Sequence, residues 1–239
     1  MAQTDPRRGT RGEALVVLVN HRRAGRFALV ALLGGVVMLA LVAWPATLPA
    51  VQWVDDGWNR AMVSIRFTPF VWLAEAFALL GGIWINWPLR VAAMVILAVR
   101  RNWVQLGAFV LAIVTSEALI GPLKALYARP RPPQAILETS SYSFPSGHAI
   151  AGAVTAVGLV IVLLPPGSRR WSWEVKAAIF ASLMALSRTY LSVHWLSDVV
   201  TGALLGVGLA LGWPALFQEV RDVRLPRWRA SKAAAEAET

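Results

Sequence analysis

Phe27-Ala-Leu-Val-Ala-Leu-Leu-Gly-Gly-Val-Val-Met-Leu-Ala-Leu-Val-Ala-Trp44 runs without a charge, and Pro45 closes it. As an α-helix such a run covers about 27 Å, close to the ~30 Å hydrocarbon thickness of a bilayer. Inside lipid every backbone N–H and C=O must be paired within the protein, so spanning segments are helices or closed barrels. The run is apolar at every position and lacks the period-two alternation of a barrel strand, so it is a helix. The rest of the chain agrees with this. Of its 239 residues, 57% are hydrophobic and 15% charged, where a soluble domain carries about a quarter charged. The expected fold class is all-α, a polytopic membrane protein.

Further apolar runs follow in order. Ala50 to Arg66 mixes Asp55, Asp56, Arg60 and Arg66 with Trp53, Trp58 and Met62, the pattern of a helix lying at an interface or of a plain connecting helix packed over the bundle mouth. Phe70 to Val99 is too long for one straight span and is broken by Gly81-Gly82, which predicts a lead-in helix over Phe70–Leu80 and a crossing over Gly82–Val99. Trp103 to Leu123, His148 to Leu164, Val175 to Tyr190 and Leu196 to Phe217 complete six spans. The expected organisation is a basic arm over residues 1–26, a six-span domain over 27–217, and a tail over 218–239 that is basic, then rich in Ala and Glu. Leu15 to Val19 reads as a short surface turn or as part of a plain tail, and His21 as a solvated residue.

Charge orients these spans. The net charge is +10, but the cations cluster at the ends of apolar runs, which argues against a nucleic-acid partner. With the N-terminus inside and six crossings, sixteen of the 23 Lys and Arg fall on the inner side and six on the outer. That bias places both termini in the cytoplasm. The chain contains no cysteine, so disulfides and thiolate metal sites are excluded.

Three polar patches then fall together on the outer side: Lys124 to Pro132, Pro145-Ser146-Gly147-His148, and Ser187-Arg188 with His194 and Asp198. Lys124, Arg131 and Arg188 offer charge and forked donors to phosphate oxygens. Ser146 and Gly147 open a helix whose free N–H groups face an anion. His194 and Asp198 are four apart, on one helix face, so the carboxylate can hold one ring nitrogen and leave the other to attack. Three cations beside two histidines suit a phosphate ester better than snorkelling to headgroups. Glu75 and Arg90 are intramembrane charges that pair or snorkel, Glu117 shares a face with Lys124 and either tunes it or plays a structural part, and Arg129 stands at the mouth.

Lys124-x6-Arg131-Pro132, Pro145-Ser146-Gly147-His148 and Ser187-Arg188-x5-His194-x3-Asp198 together resemble the three-part signature of the type 2 phosphatidic acid phosphatase family. All three parts match without a gap and cover about the middle third of the chain. The resemblance implies that His194 is the nucleophile, becoming phosphohistidine, and that Asp198 orients it. His148 protonates the leaving oxygen and then activates water. Lys124, Arg131, Ser146, Gly147 and Arg188 hold the phosphate, and no metal or other cofactor is required. It also implies a lipid phosphate substrate and a bacterial-type plasma membrane, with the site at the outer leaflet. Among substrates, undecaprenyl or another prenyl diphosphate is favoured, with Arg129, Arg60 and Arg66 near enough to serve a second phosphate. Phosphatidylglycerophosphate and phosphatidic acid are the alternatives. A phosphotransferase acting on a lipid diphosphate and a non-enzymatic lipid-phosphate binder are the other classes, the binder being disfavoured by an intact His194–Asp198 pair. The oligomeric state is left open.

Overall fold

A break between two helices sets the architecture around the polar patches. In the computed structural model, which describes residues 21–137 and 139–226, Thr68–Leu80 (α3) and Ile83–Val99 (α4) meet at Gly81-Gly82 with a 44° bend. Before them come α1 (His21–Ala43) and α2 (Leu48–Ser64); after them come α5 (Trp103–Tyr127), α6 (Gly147–Leu163), α7 (Ser168–Tyr190) and α8 (Leu196–Glu219). A π-helical turn, Val220–Arg224, continues α8. The surface turn expected at Leu15–Val19 and the tail beyond Pro226 lie outside the described residues.

Local chemistry places the ends. Proline opens both α2 and α3, where its missing N–H costs nothing. α5 stops at Ala128, whose left-handed φ of 42° turns the chain into the loop that carries Arg129 and Arg131. α6 starts on Ser146, whose hydroxyl accepts from the Ala149 N–H. In α8 the third residue, Asp198, caps the start by accepting from the Trp195 N–H at 2.9 Å.

α8 is the hub, packed against α1, α5 and α6. A Cβ on Gly202 would sit 2.6 Å from the Ser146 carbonyl oxygen, and one on Gly206 2.6 Å from that of Ile150. Only glycine permits this approach of α8 to α6, the small-residue packing by which helices associate in lipid. Beneath it Leu97, Phe109, Ile113, Ile150, Val154 and Leu211 form the core. Leu29, Val30, Leu33, Val36 and Val37 on α1 point outward and exposed, as a lipid-facing surface requires.

The helices follow the expected segments more closely than the span count does. Among the described residues, α1, α5 and α8 are long and apolar enough to cross a membrane, and the bent pair α3–α4 makes a fourth. α6 is apolar but has only 17 residues. α7 carries Arg169, Arg170, Glu174 and Lys176 in its opening turns. Length and composition therefore support three to four spans where the sequence suggested six.

Candidate active site

The α7–α8 corner builds the site. Arg188 lies in the last turn of α7, the chain turns through Leu191–Trp195, and the Val193 N–H returns to the Arg188 carbonyl at 3.1 Å. Ser192 sits at the tip of this turn with a left-handed φ of 51°. Its hydroxyl donates to Asn59 on α2 at 2.6 Å and accepts from Arg66 at 2.6 Å. Arg66 also donates to the Gln134 carbonyl at 2.9 Å. The corner is thereby latched to α2 and to the loop after α5 before any ligand is considered.

His194, 3% exposed, projects from this corner. Its Nδ1 lies 3.2 Å from Asp198 Oδ2. Its Nε2 lies 3.4 Å from Arg131 Nη1. A guanidinium can only donate, so Nε2 carries the lone pair and Nδ1 the proton. Burial pushes the imidazole down to about 4, against the opposing pull of Asp198. The ring is therefore neutral at ordinary pH.

Cations surround that lone pair. Arg131 donates through Nε to the Ser141 carbonyl at 2.8 Å and through Nη1 to the Val193 carbonyl. Burial lowers its pKa, with Asp198 opposing the shift. Lys124 donates to the Tyr142 carbonyl, so both cations brace the same loop. Arg188 is buried, and its Nε has no hydrogen-bond partner among the described residues. A buried guanidinium nitrogen left unpaired is costly, and an anion would satisfy it. Ser146 is fully buried, and its N–H donates to the Asp198 carbonyl at 3.0 Å, which ties the start of α6 to α8. Gly147 lies against Ile120 of α5.

His148 lies within electrostatic reach of Arg188, His194 and Lys124. The α3–α4 break wraps its ring: a Cβ on Gly81 would meet His148 Cδ2 at 3.2 Å and Met184 Sδ at 2.5 Å. Beside the ring is a cavity of about 160 Å³ lined by Gly147, Asn86, Arg90 and Glu117. A wider opening of about 720 Å³ is lined by Arg131, Leu137 and Thr139. The eight residues singled out in the sequence thus converge at one end of the bundle.

Two secondary expectations change. Arg129 is not at the mouth. It is 6% exposed and paired with Asp55 at 2.7 Å and Asp198 at 2.9 Å. Arg66 is spent on the corner, and Arg60 stays on the exposed side of α2, so neither lines the cation cluster. Of the two roles open to Glu117, the structural one holds: it pairs with Arg90 at 2.6 Å. Glu75 is half-buried on α3. Sequence reasoning missed Asp55, Gln52 and Ser197 as neighbours of the pair. Asp55 and Ser197 are 142 positions apart, and no local pattern could have joined them.

Comparison with known proteins places this geometry. Residues 105–222 match the model of the PAP2 superfamily. Phosphatidylglycerophosphatase B of Bacillus subtilis is 32% identical over 168 residues, 66% of this chain and 80% of that protein. Undecaprenyl-diphosphatase of Sulfolobus acidocaldarius is 40% identical over 105 residues, 41% of this chain and 46% of its own length, so the chain spans about half of that relative. Among solved structures, the transmembrane PAP2 type phosphatidylglycerolphosphate phosphatase from Bacillus subtilis superposes with a TM-score of 0.70 at 27% identity, covering 82% of this chain and 98% of that one.

Proposed function

Since the chain belongs to the PAP2 superfamily, we propose that it is a membrane phosphatase that hydrolyses a lipid phosphate through a phosphohistidine at His194. The carrying observation is the divided imidazole, with Nδ1 held by Asp198 and the Nε2 lone pair turned toward Arg131. A module that only bound phosphate would have no use for an oriented lone pair.

The steps follow from the geometry. The substrate phosphate lies among Lys124, Arg131 and Arg188, whose charge stabilises the oxygens as electron density builds on them. Nε2 attacks phosphorus, the N–P bond forms, and the bond from phosphorus to the lipid oxygen breaks. His148 gives its proton to that departing oxygen. The ring of His194 is now cationic, with its proton still on Nδ1 and donated to Asp198. Water then attacks phosphorus and gives a proton to His148, the N–P bond breaks, and inorganic phosphate leaves with His194 restored. The three cations supply the positive charge in this scheme, so no added metal is required.

The substrate is a lipid phosphate, and the cations favour a single gripped phosphate. Arg129 and Arg66, which a second phosphate would need, are committed to Asp55, Asp198, Gln134 and Ser192. A glycerol-linked phosphate monoester, such as phosphatidylglycerophosphate or phosphatidic acid, is therefore the first reading. A prenyl diphosphate is the second, supported by the 40% identity to the Sulfolobus enzyme. The site faces outward from a plasma-membrane-type bilayer with both termini inside. Six crossings, counting α3–α4 as one and including α6 and α7, give that orientation its excess of inner cations.

The test is phosphate release from a panel of these lipids by purified protein in EDTA, with acid-labile phosphoenzyme trapped by quenching. Release without metal, loss of phosphoenzyme in His194→Ala, and a preference for the glycerol lipids support the reading. Full activity in His194→Ala would end it, and a tenfold preference for the diphosphate, about 1.4 kcal/mol, would reverse the substrate order.

A further inference from the structure

Arg129 divides its fork between two elements. Nη1 donates to Asp198 Oδ1 at 2.9 Å and to Ser197 Oγ at 2.7 Å. Nη2 donates to Asp55 Oδ2 and to Gln52 Oε1, both at 2.7 Å. Asp55, 1% exposed on α2, also accepts from the Ser197 N–H at 2.8 Å and the Ser197 hydroxyl at 2.6 Å. Asp198, fully buried, keeps its other oxygen for His194 and the Trp195 N–H.

We propose that Asp55 and Arg129 are positioning residues for the His194 nucleophile, extending the His194–Asp198 pair across the bundle to α2. The inference rests on the phosphohistidine reading above. Its physical content is orientation and charge. The planar guanidinium fixes the bond from Nη1 to Asp198 Oδ1 relative to the bond from Nη2 to Asp55, so Arg129 holds Asp198 with Oδ2 aimed at Nδ1. Arg129 lies between two buried carboxylates and pairs with both. The trio then carries one net negative charge, opposite in sign to the cationic ring of the phosphoenzyme. Asp55 anchors the far side of the fork, so the orientation of the nucleophile depends on a helix that contributes nothing to the phosphate cradle.

A latch that merely holds α2 in place would use the same contacts, and the experiment must separate the two roles. Purified full-length protein is assayed with a short-chain phosphatidic acid, recording kcat, KM and the unfolding midpoint for Arg129→Gln, Arg129→Lys and the double variant Asp55→Asn with Arg129→Gln. The double variant removes one charge of each sign and restores the native net charge. Its midpoint should return toward wild type while kcat stays down about 10–100-fold, the usual scale for a group that orients another. Arg129→Lys, with the charge but not the fork, should behave likewise, and KM should hold within about threefold in all three. Arg60→Gln on the exposed side of α2 should match wild type. Recovery of kcat in the double variant or in Arg129→Lys, a loss carried by KM, or an equal loss in Arg60→Gln overturns the proposal. His194→Ala assayed alongside separates the levels. Its inactivity, with the Arg129 variants at full kcat, overturns the positioning alone, and its activity overturns the phosphohistidine reading beneath it.

Discussion

Arg90 of α4 donates Nη1 to Glu117 of α5 at 2.6 Å, with its guanidinium 1% exposed. Nε donates to Thr155 at 2.8 Å and Nη2 to the Ala151 carbonyl at 3.3 Å, so one buried cation ties three helices together. Glu117→Ala leaves that cation without its counter-charge and should cost about 1–3 kcal/mol, the scale for orphaning a buried donor. Arg90→Met combined with Glu117→Ala should cost less than Glu117→Ala alone, because the double variant leaves no buried cation without its counter-charge. Thermal unfolding in detergent reads both. Equal or greater loss in the double variant would show that the pair itself contributes net stability.

The buried imidazole of His194 predicts where the pH profile falls away. Attack needs the neutral ring, and burial holds its pKa at about 4, below the ordinary 6.5. The neutral form therefore persists as pH falls and is lost only through the lowered pKa. The acid limb of kcat/KM should lie well below 6, and a limb at 6.5 or above would contradict the burial. Asp198→Asn should lower kcat by about 10⁴, the scale seen when an orienting carboxylate can no longer select the tautomer.

Much of this site was legible because its chemistry sits in short patterns. His194 and Asp198 are four apart, Ser146 to His148 open a helix, and Lys124 to Arg131 close one, so each patch announced itself locally. The helix borders followed from Pro45, Gly81-Gly82 and the apolar runs. Arg129 was visible but misplaced, since a sequence shows an arginine beside a motif without showing that its partners lie on α2 and α8. The span count is less legible, because α6 has only 17 residues and α7 opens with four charges, so length and composition alone support three to four of the six expected spans.

Glycines at a tight helix contact and at an open position predict substitutions of opposite sign. A Cβ on Gly206 would meet the Ile150 carbonyl oxygen at 2.6 Å and Ala153 Cβ at 2.8 Å, and neither can move without parting the helices. Gly206→Ala should cost about 1–3 kcal/mol by overpacking. Gly121 on α5 has nothing within 4 Å of its added Cβ, so Gly121→Ala should gain about 0.5–1 kcal/mol by removing backbone freedom from a helix interior. Unfolding midpoints of the two variants should move in opposite directions, and equal shifts would mean that the helix approach is not limiting.

The final prediction concerns the two ends of α6. Thr139, exposed in the loop ahead of Ser146, shares an end of the bundle with the cation cluster. Ser168, exposed at the start of α7, lies beyond the other end of α6. The 17 residues of α6 rise about 25 Å, somewhat less than the ~30 Å hydrocarbon core. Polar flanks at both ends make that length sufficient, and Arg169 beside Ser168 suits the inner, cation-rich side. Single cysteines are simple to introduce because the chain has none. In intact cells, an impermeant thiol reagent should label Thr139→Cys from outside, and should label Ser168→Cys only after the membrane is opened. Labelling of both from outside would mean that α6 does not cross the bilayer. The reversed pattern would place the cation cluster on the cytoplasmic face and restrict the substrate to inner-leaflet lipids.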